Sequence, residues 1–463
     1  MGRMRHPRGR GAQSKSRITI FSQTADADVT HAPRGWTIFF AMKTHLLLLA
    51  ASLLAMHTSA TAGEPADYTA HEWGTFTSVQ GADGVQLEWN PLLLTELPKF
   101  VYDRNRPLSN AKPAQPLLAA KTALVARQRL ETPVIYFYSK KERVVDVSVK
   151  FPEGSVTEWY PQQSPLPRSI VKAGEPAARW EKLRILADGA KTAALPKDAR
   201  GSHYFAARET DANAVQIAPS GAAAEMEKFL FYRGVGTFQA PLKVTSDGPD
   251  AATLHLANTG AEPLGSLFVY EVRGSVARLG VIPALTSGTP QTFAFPEKSG
   301  PAPLAQIRAE LASKMRKALT AAGLYEREAA AMVKTWDDAW FAEQGLRVLY
   351  LLPRTWADRV LPLTLDPAPR EVARVMVGRA EILTPGMEKA LTLEVERYRT
   401  GDEATRAAAV TNTRALGLGR FAEPAMRRLC LADPKNRDFT NAAWQLLYAA
   451  FAPPPAAPAT AAR

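Results

Sequence analysis

The stretch Val134–Lys150 reads VIYFYSKKERVVDVSVK and sets the pattern for the residues that precede Pro301. Its first five residues, Val134–Tyr138, are β-branched or aromatic, which is typical of a strand. From Val145 to Val149, valine alternates with polar residues, which predicts a strand with one buried face. The polar residues Ser139–Glu142 between the two runs predict a hairpin turn that joins them.

Short runs of the same kind recur between Gly, Pro, Asn and Asp residues. We expect further strands at Ser155–Tyr160, Trp180–Leu186, His203–Ala207, Lys228–Tyr232, Leu242–Thr245, Thr253–Ala257 and Leu267–Val272. No helical pattern interrupts them. Many short strands at this spacing predict an antiparallel β-sandwich or a barrel-like domain over residues 63–300.

The pattern changes after Pro301. Apolar residues recur every four positions from Ile307 to Leu319, which predicts an amphipathic helix, and a second helix is expected over Tyr325–Phe341. The later segments are strand-like at Val348–Leu352, Leu361–Leu365 and Val372–Val377, and helical at Thr384–Tyr398, Glu403–Leu416 and Glu423–Leu431.

The predicted fold class is therefore α+β. An N-terminal antiparallel β-sandwich or barrel-like domain (residues 63–300) precedes a mixed, mainly helical C-terminal part. That part divides into a helix-rich α+β region (301–400), a helical hairpin cap (401–451) and a Pro/Ala-rich tail (452–463).

The N-terminal residues predict a secretory signal peptide over residues 42–62. Lys43 supplies a positive charge, Leu46–Met56 is a short apolar run, and Ala60–Ala62 offers a cleavage site with small residues. The apolar run is much shorter than the roughly 20 residues that a membrane-spanning helix needs, so no stable span is expected after cleavage.

Residues 1–41 are rich in arginine and lack an apolar period. We expect the natural start to be Met42 and the upstream residues to be a mis-called extension or a disordered segment. If Met1 is the start, Trp36–Met56 is a candidate uncleaved signal anchor.

Export predicts a soluble protein in the periplasm or outside the cell. The first 62 residues carry eight basic and two acidic side chains, which leaves a net charge of +6, out of +12, for the rest. A dispersed charge of this size argues against nucleic acid as a partner. Cys430 is the only cysteine, so neither an intramolecular disulfide nor a multi-cysteine metal site can form. The partner class, whether small molecule, polymer or protein, stays open.

Three histidines follow the signal peptide: His71, His203 and His255. No HExxH motif is present, and a mixed site of His71, His203 and carboxylates stays open, so metal content and cofactors are unknown at this stage. His255 alternates with flanking leucines, which predicts that it faces solvent.

The segment His71–Ser78 reads HEWGTFTS. In a strand, alternation places His71 and Glu72 on opposite faces. One interpretation makes His71 a base or a ligand. In the other, Trp73 and Phe76 anchor a first strand, and His71 hydrogen-bonds to nearby backbone.

His203–Asp211 brings an imidazole, a guanidinium and two carboxylates into nine residues. His203 and Glu209 are candidate catalytic residues, and Arg208 is a candidate ligand-binding residue. The alternative is a surface ion pair of Arg208 with Glu209 or Asp211.

Three isolated residues complete the candidates. Arg233 precedes Gly234 and Gly236, so it either faces an anionic group or sits in a hairpin turn. Asp337 lies between tryptophans, as in carbohydrate sites, or belongs to a polar helix face. Arg354 belongs to an arginine cluster that either binds an anionic ligand or pairs with carboxylates.

HEWGTFTS resembles the opening of an uncharacterised family of exported bacterial proteins that begin with an HEWGTFT motif after the signal peptide. Further stretches fit the same family: ETPVIYFYS (131–139), TEWYP (157–161), YFAARETDA (204–212), EKFLFYRGVG (227–236) and RVLYLLPR (347–354). The resemblance implies export and common descent. It lends no activity, cofactor or catalytic residue.

Two functional hypotheses follow. The first is an exported binding or structural interaction protein, which the lack of a complete catalytic constellation favours. The second is an extracytoplasmic hydrolase, using acid/base or metal-assisted chemistry, in which His71, His203, Glu209 and Asp337 converge. The hydrolase requires His71 close to His203 or Glu209 in one pocket.

Overall fold

The computed structural model describes residues 66–91, 97–104, 125–166, 176–187, 195–199, 202–218, 223–296 and 300–451. They belong to one unit that spans Pro65–Arg463. The predicted signal peptide, the residues before it and the Pro/Ala-rich tail lie outside the described residues. Among the helices that are described, none is both long and apolar enough to cross a membrane.

The described strands are β1 (Ala66–Gln80), β2 (Tyr102–Asp103), β3 (Gln128–Tyr138), β4 (Arg143–Lys150), β5 (Gly154–Tyr160), β6 (Pro176–Ile185), β7 (Val215–Ile217), β8 (Glu225–Glu227), β9 (Leu230–Gly236), β10 (Leu242–Asp247), β11 (Thr253–Asn258), β12 (Leu264–Arg273), β13 (Val276–Leu285), β14 (Gln291–Ala294), β15 (Ala302–Pro303), β16 (Gly345–Leu352), β17 (Leu363–Asp366) and β18 (Pro369–Ile382). The described helices are α1 (Leu304–Ala321), α2 (Glu326–Thr335), α3 (Asp337–Phe341), α4 (Arg354–Val360), α5 (Pro385–Thr400), α6 (Glu403–Ala415), α7 (Ala422–Ala432) and α8 (Arg437–Phe451), with short 3-10 helices at His203–Arg208 and Gly419–Phe421.

A large sheet forms the middle layer, with the described strand order β15-β13-β12-β16-β18-β1-β3-β9-β5-β2. Its central strand β1 runs antiparallel to β3 and parallel to β18. Strands from before and after Pro301 therefore pair in one sheet. The change of pattern at Pro301 marks a change in secondary structure within that unit.

Two smaller sheets pack on one face of the large sheet, with orders β17-β4-β6-β7-β8 and β10-β11-β14. Phe137 of the large sheet, Val147 of the five-stranded sheet and Leu256 of the three-stranded sheet belong to one buried cluster. Burial of apolar faces between sheets is the packing of a sandwich. The protein is thus α+β, with large antiparallel sheets and several helices in its C-terminal half.

The predicted hairpin between Val134 and Lys150 is wrong. β3 pairs with β1 and β9 in the large sheet, whereas β4 pairs with β6 and β17 in the five-stranded sheet. Asn213 holds the corner between β3 and β4: its amide oxygen accepts from the Ser139 N–H and its amide nitrogen donates to the Ser139 carbonyl, both at 2.9 Å. Phe137 of β3 and Val147 of β4 belong to the same buried cluster, so the two strands face each other across the core between the sheets.

Helices cover the opposite face of the large sheet in two groups. α1 to α3 enclose one core, which includes Met315 and Trp340, and α5 to α8 enclose another, which includes Leu391 and Leu446. Ile307, Leu311, Met315 and Leu319 are buried along α1, so the predicted helix and its apolar face are confirmed. α8 is an additional helix that the sequence prediction did not place.

Candidate functional site

Residues His203–Arg208 form a 3-10 helix, so the strand predicted at His203–Ala207 is wrong. The Ser202 hydroxyl accepts a hydrogen bond from the Tyr204 N–H at 3.2 Å, which is a side-chain cap typical of a helix start. Tyr204, Ala206 and Ala207 are buried, whereas His203, Phe205 and Arg208 are partly exposed. Over five residues, a short helical turn and a strand give similar alternating patterns, so periodicity does not separate them.

A cleft opens between this 3-10 helix and the C-terminal end of α2, with a volume of about 440 Å³. Its lining residues are Ser202, His203, Phe205, Ala206, Glu209, Lys334, Thr335 and Asp338. Two segments that are far apart in the chain meet here because α2 packs directly on the 3-10 helix. The cleft therefore presents an imidazole, an aromatic ring, an ammonium group and two carboxylates to a common space.

The charged groups of the cleft are only loosely held. Lys334 Nζ lies 2.6 Å from Glu209 Oε1, yet the two side chains are 61% and 53% exposed. Exposed ion pairs of this kind contribute about 0–1 kcal/mol, so another charged group can replace either partner at little cost. The Asp338 carboxylate lies 3.2 Å from Arg308 and is even more exposed. The imidazole of His203 lies beside the indole of Trp336, with ring centroids 6.2 Å apart.

His71 lies elsewhere, in a buried cluster at the N-terminal end of α2. Its Nδ1 is 2.7 Å from Glu328 Oε2. The other oxygen of Glu328 accepts from the Tyr138 hydroxyl at 2.7 Å, and Oε2 also accepts from the Tyr325 N–H at 2.8 Å. The His71 ring packs against the rings of Tyr138 and Tyr325. This histidine thus joins β1 to the start of α2.

His71 and His203 contact opposite ends of α2. His71 bonds to Glu328 in the first turn, and His203 lies beside Trp336, eight residues later. At a rise of 1.5 Å per residue, these positions are about 12 Å apart along the helix axis. His71 is not among the residues that line the cleft. The structure therefore brings His203 and Glu209 together and leaves His71 outside.

Asp337 also lies outside the cleft, although its neighbour Asp338 lines it. Both carboxylate oxygens of Asp337 accept from Arg308 of α1, one of them from Nε at 2.9 Å. Adjacent residues on a helix point about 100° apart, so Asp337 faces α1, whereas Asp338 both contacts Arg308 of α1 and borders the cleft.

Arg208 is anchored away from the cleft by a buried carboxylate. Its Nε and Nη2 donate to Glu227, which is fully buried and also accepts from the Tyr204 hydroxyl at 3.0 Å. The guanidinium lies 4.8 Å from the centre of the Phe205 ring. These contacts fix the 3-10 helix against β8, so Arg208 positions the segment that carries His203.

Arg354 lines a second depression of about 400 Å³, together with Asp358 and Arg374. Its Nη1 donates to the Val372 carbonyl at 2.7 Å, and its Nε lies 3.4 Å from Asp358. Arg233 is 3% exposed and lies within a row of buried charges on the helical face of the large sheet.

Within the described ranges, no group of three or more His, Cys, Asp and Glu side chains is arranged to hold a metal ion. His255 is 41% exposed, and its Nε2 lies 2.7 Å from Asp247 on the neighbouring strand. It is remote in the sequence and in its contacts from both His71 and His203.

Sequence reasoning missed two of the residues that matter here, Glu328 and Lys334. Glu328 is four residues before Met332 and lies on the same buried face of α2. A glutamate on an apolar helix face signals a buried partner, because a buried carboxylate without one is costly. For Lys334, no local pattern indicates that the helix ends at a cleft.

No family model matches the chain, and no curated protein matches it. Among solved structures, the mu homology domain of Fcho1 from Danio rerio, solved with a bound Eps15 peptide, aligns at 9% identity over 70% of this chain and 99% of that domain, with a TM-score of 0.28. The yeast delta-COP-I mu-homology domain, complexed with a Dsl1 WxWxV peptide, aligns at 7% identity over 69% and 99%, with a TM-score of 0.26. TM-scores this low do not establish a shared fold, and the α+β class rests on the strands and helices themselves.

Proposed function

We propose that this chain is an exported binding protein whose cleft, between the His203–Arg208 helix and the end of α2, receives a peptide segment with charges of both signs. The observation that carries this proposal is the convergence of His203, Glu209, Lys334 and Asp338 on one cavity of about 440 Å³. Ligand sites in proteins have volumes of about 300–1,000 Å³ and a few convergent polar groups.

The chemistry of the lining selects the ligand class. Lys334 offers an ammonium group to a carboxylate, while Glu209 and Asp338 offer carboxylates to an ammonium or guanidinium group. The Phe205 ring supplies apolar surface beside them. Because the Lys334–Glu209 pair is exposed and weak, a ligand with both charges can replace each partner in turn.

The contacts of the remaining candidates favour binding over hydrolysis. His71 is held by Glu328, Asp337 by Arg308, and Arg208 by Glu227. A general base must reach the proton that it abstracts, within about 3 Å or through one water. Of the four residues that the hydrolase hypothesis requires, the cleft contains His203 and Glu209. That hypothesis is retained as an outcome of the test.

The test is a calorimetric titration with tripeptides that contain one lysine and one glutamate, and with matched tripeptides that carry glutamine at both positions. We expect the charged set alone to bind, and Lys334→Gln and Asp338→Asn each to weaken the Kd by about two- to fivefold, because each removes an exposed charge partner that contributes about 0–1 kcal/mol. Lys314→Gln is the control, since Lys314 forms a comparable exposed pair with Glu310 on α1.

Equal binding of charged and uncharged peptides, or unchanged affinity in both cleft variants, contradicts the proposal. Mass spectrometry of the same mixtures distinguishes the alternative. If wild type cleaves a peptide and His203→Ala does not, the protein is a hydrolase and the binding-only function is overturned.

A further inference from the structure

A row of buried charges crosses the helical face of the large sheet between its two helix-covered cores. We call this row the charged belt. Its members are Arg129, Glu131, Glu158, Arg233, Arg347, Arg379 and Glu381 on the strands, with Glu343 and Arg420 on the covering segments.

Strand register brings the belt together. Thr77 of β1 lies opposite Arg129 of β3 on one side and Arg379 of β18 on the other. Farther out, Glu158 of β5 lies opposite Arg233 of β9. Directly paired positions present their side chains on the same face, so the belt continues from strand to strand.

One half of the belt is balanced in charge, although Arg347 Nε is buried without a hydrogen-bond partner among the described residues. Arg379 donates to Glu343 at 2.5 Å and to Glu381 at 2.8 Å. Arg347 donates to the Trp340 carbonyl at 3.1 Å and lies 3.2 Å from Glu381. Two arginines and two glutamates therefore balance each other in this half.

The other half contains more donors than acceptors. Arg129, Arg233 and Arg420 all lie within electrostatic reach of Glu131, and Arg420 Nη1 donates to it at 2.8 Å. Several guanidinium nitrogens here are buried without a hydrogen-bond partner among the described residues: Nε and Nη1 of Arg233, and Nη2 of Arg420. Arg233 is 3% exposed. Burying such donors unpaired costs about 1–3 kcal/mol each, and more for charged groups.

The charges show the same excess. Among the described residues of this half, three guanidinium groups face two carboxylates, Glu131 and Glu158. Burial lowers the pKa of Arg129 to about 10, and the neighbouring charges of Arg233 and Arg420 add to this effect. One positive charge is left over, which is the electrostatic condition for binding an anion.

We propose that Arg233 and Arg420 bind a small oxyanion, a phosphate or a carboxylate, in the half of the charged belt that carries the excess positive charge. The planar fork of an arginine matches the oxygens of either group. Entry is from the side of Arg420, whose side chain is 14% exposed beside the 35% exposed Glu343. Glu158 competes with the ligand, because its Oε1 is a buried acceptor without a partner among the described residues. Neither arginine lines the cleft, so this site is independent of the proposed function.

The experiment measures the melting temperature in a zwitterionic buffer with added inorganic phosphate, acetate or chloride at equal ionic strength. An anion that binds the native state stabilises it by an amount that grows with the logarithm of its concentration relative to Kd, so we expect phosphate or acetate to raise Tm by at least about 2 °C over chloride. Calorimetry then gives the Kd and decides between the two oxyanions.

Arg420→Gln is expected to abolish this rise. Arg233→Gln is expected to abolish it as well. If Arg233→Gln prevents folding, because Arg233 is the more deeply buried of the two, Arg420→Gln alone tests the proposal. Glu158→Gln removes the competing charge and is expected to tighten the Kd several-fold. Arg399→Gln is the control, because Arg399 pairs with Glu396 in an exposed stretch of α5, away from the belt. A wild-type Tm that is equal in all three salts, or a rise that persists in Arg420→Gln, overturns the proposal.

Discussion

Glu328 Oε2 lies 2.7 Å from His71 Nδ1, although 257 residues separate the two in sequence. The contact ties the first strand of the large sheet to the first turn of α2, and α2 in turn forms one wall of the cleft. Among the described residues, Glu328 accepts hydrogen bonds from His71, the Tyr138 hydroxyl and the Tyr325 backbone. Its carboxylate therefore links the large sheet to the helix that forms one wall of the cleft.

Glu328→Ala is expected to lower the free energy of unfolding by about 3 kcal/mol, because it leaves His71 and the Tyr138 hydroxyl without their acceptor. Urea unfolding measures the change. Glu310→Ala, at an exposed position of α1, is the matched control and should change stability by less than about 0.5 kcal/mol. Equal stability of the two variants would show that the His71–Glu328 contact contributes nothing.

Asn213→Ala is expected to destabilise the protein by about 2 kcal/mol, because it leaves buried backbone groups at the corner between β3 and β4 unpaired. Asn213 bonds to the N–H and the carbonyl of Ser139 and donates to the Leu186 carbonyl at 2.8 Å. Asn441→Ala, at an exposed position of α8, is the control. Urea midpoints that coincide for the two variants would refute a structural role for the Asn213 bonds.

The sequence predicted the faces of elements better than their partners. Alternation along β1 places His71 and Glu72 on opposite faces, and by the same period Trp73 lies on the face of His71 and Phe76 on the face of Glu72. The structure buries the two faces in different surroundings. Trp73 belongs to the core under α1 to α3, and Phe76 belongs to the core of the sandwich. A side-chain period of two is a local property, so it is readable from a short segment.

The pairing of strands could not be predicted from local periodicity. The hairpin prediction joined β3 to β4 because they are neighbours in sequence, whereas each strand pairs with strands that are distant along the chain. The same limit applies to the sites. Glu209 and Lys334 meet across 125 residues, and neither segment carries a local signal of the other. Pairing depends on the packing of whole faces, which a single stretch does not encode.

Export predicts a trimmed N-terminus. Protein expressed from Met42 in a bacterial host and recovered from the periplasm is expected to begin near Gly63, because cleavage follows the small residues Ala60–Ala62. Intact-mass spectrometry and N-terminal sequencing measure the start. The control is Leu49→Arg, which interrupts the apolar run and should leave an untrimmed chain in the cytoplasm. Recovery of an untrimmed wild-type chain from the cytoplasm would exclude export.

The pKa of Glu131 predicts how the stability of the protein depends on pH. Burial alone would raise its pKa, but Arg420, Arg129 and Arg233 outweigh burial and hold the pKa well below the ordinary value of 4.5. A carboxyl group whose pKa is depressed in the folded state contributes stability above its unfolded pKa, and that contribution is lost as the pH falls toward the folded pKa. Stability should therefore decline below about pH 4.5.

Glu131→Gln removes this titration while it keeps the shape of the side chain. The variant is expected to be less stable than wild type at pH 7 by about 3 kcal/mol, since it leaves Arg420 facing a neutral group, and the difference should narrow steadily between pH 5 and pH 3. Urea unfolding at half-unit pH steps measures both curves, with Glu310→Gln as the exposed control. A stability difference that is constant from pH 7 to pH 3 would mean that Glu131 does not carry its charge into the folded state, and the charge excess assigned to the belt would then have to be recounted.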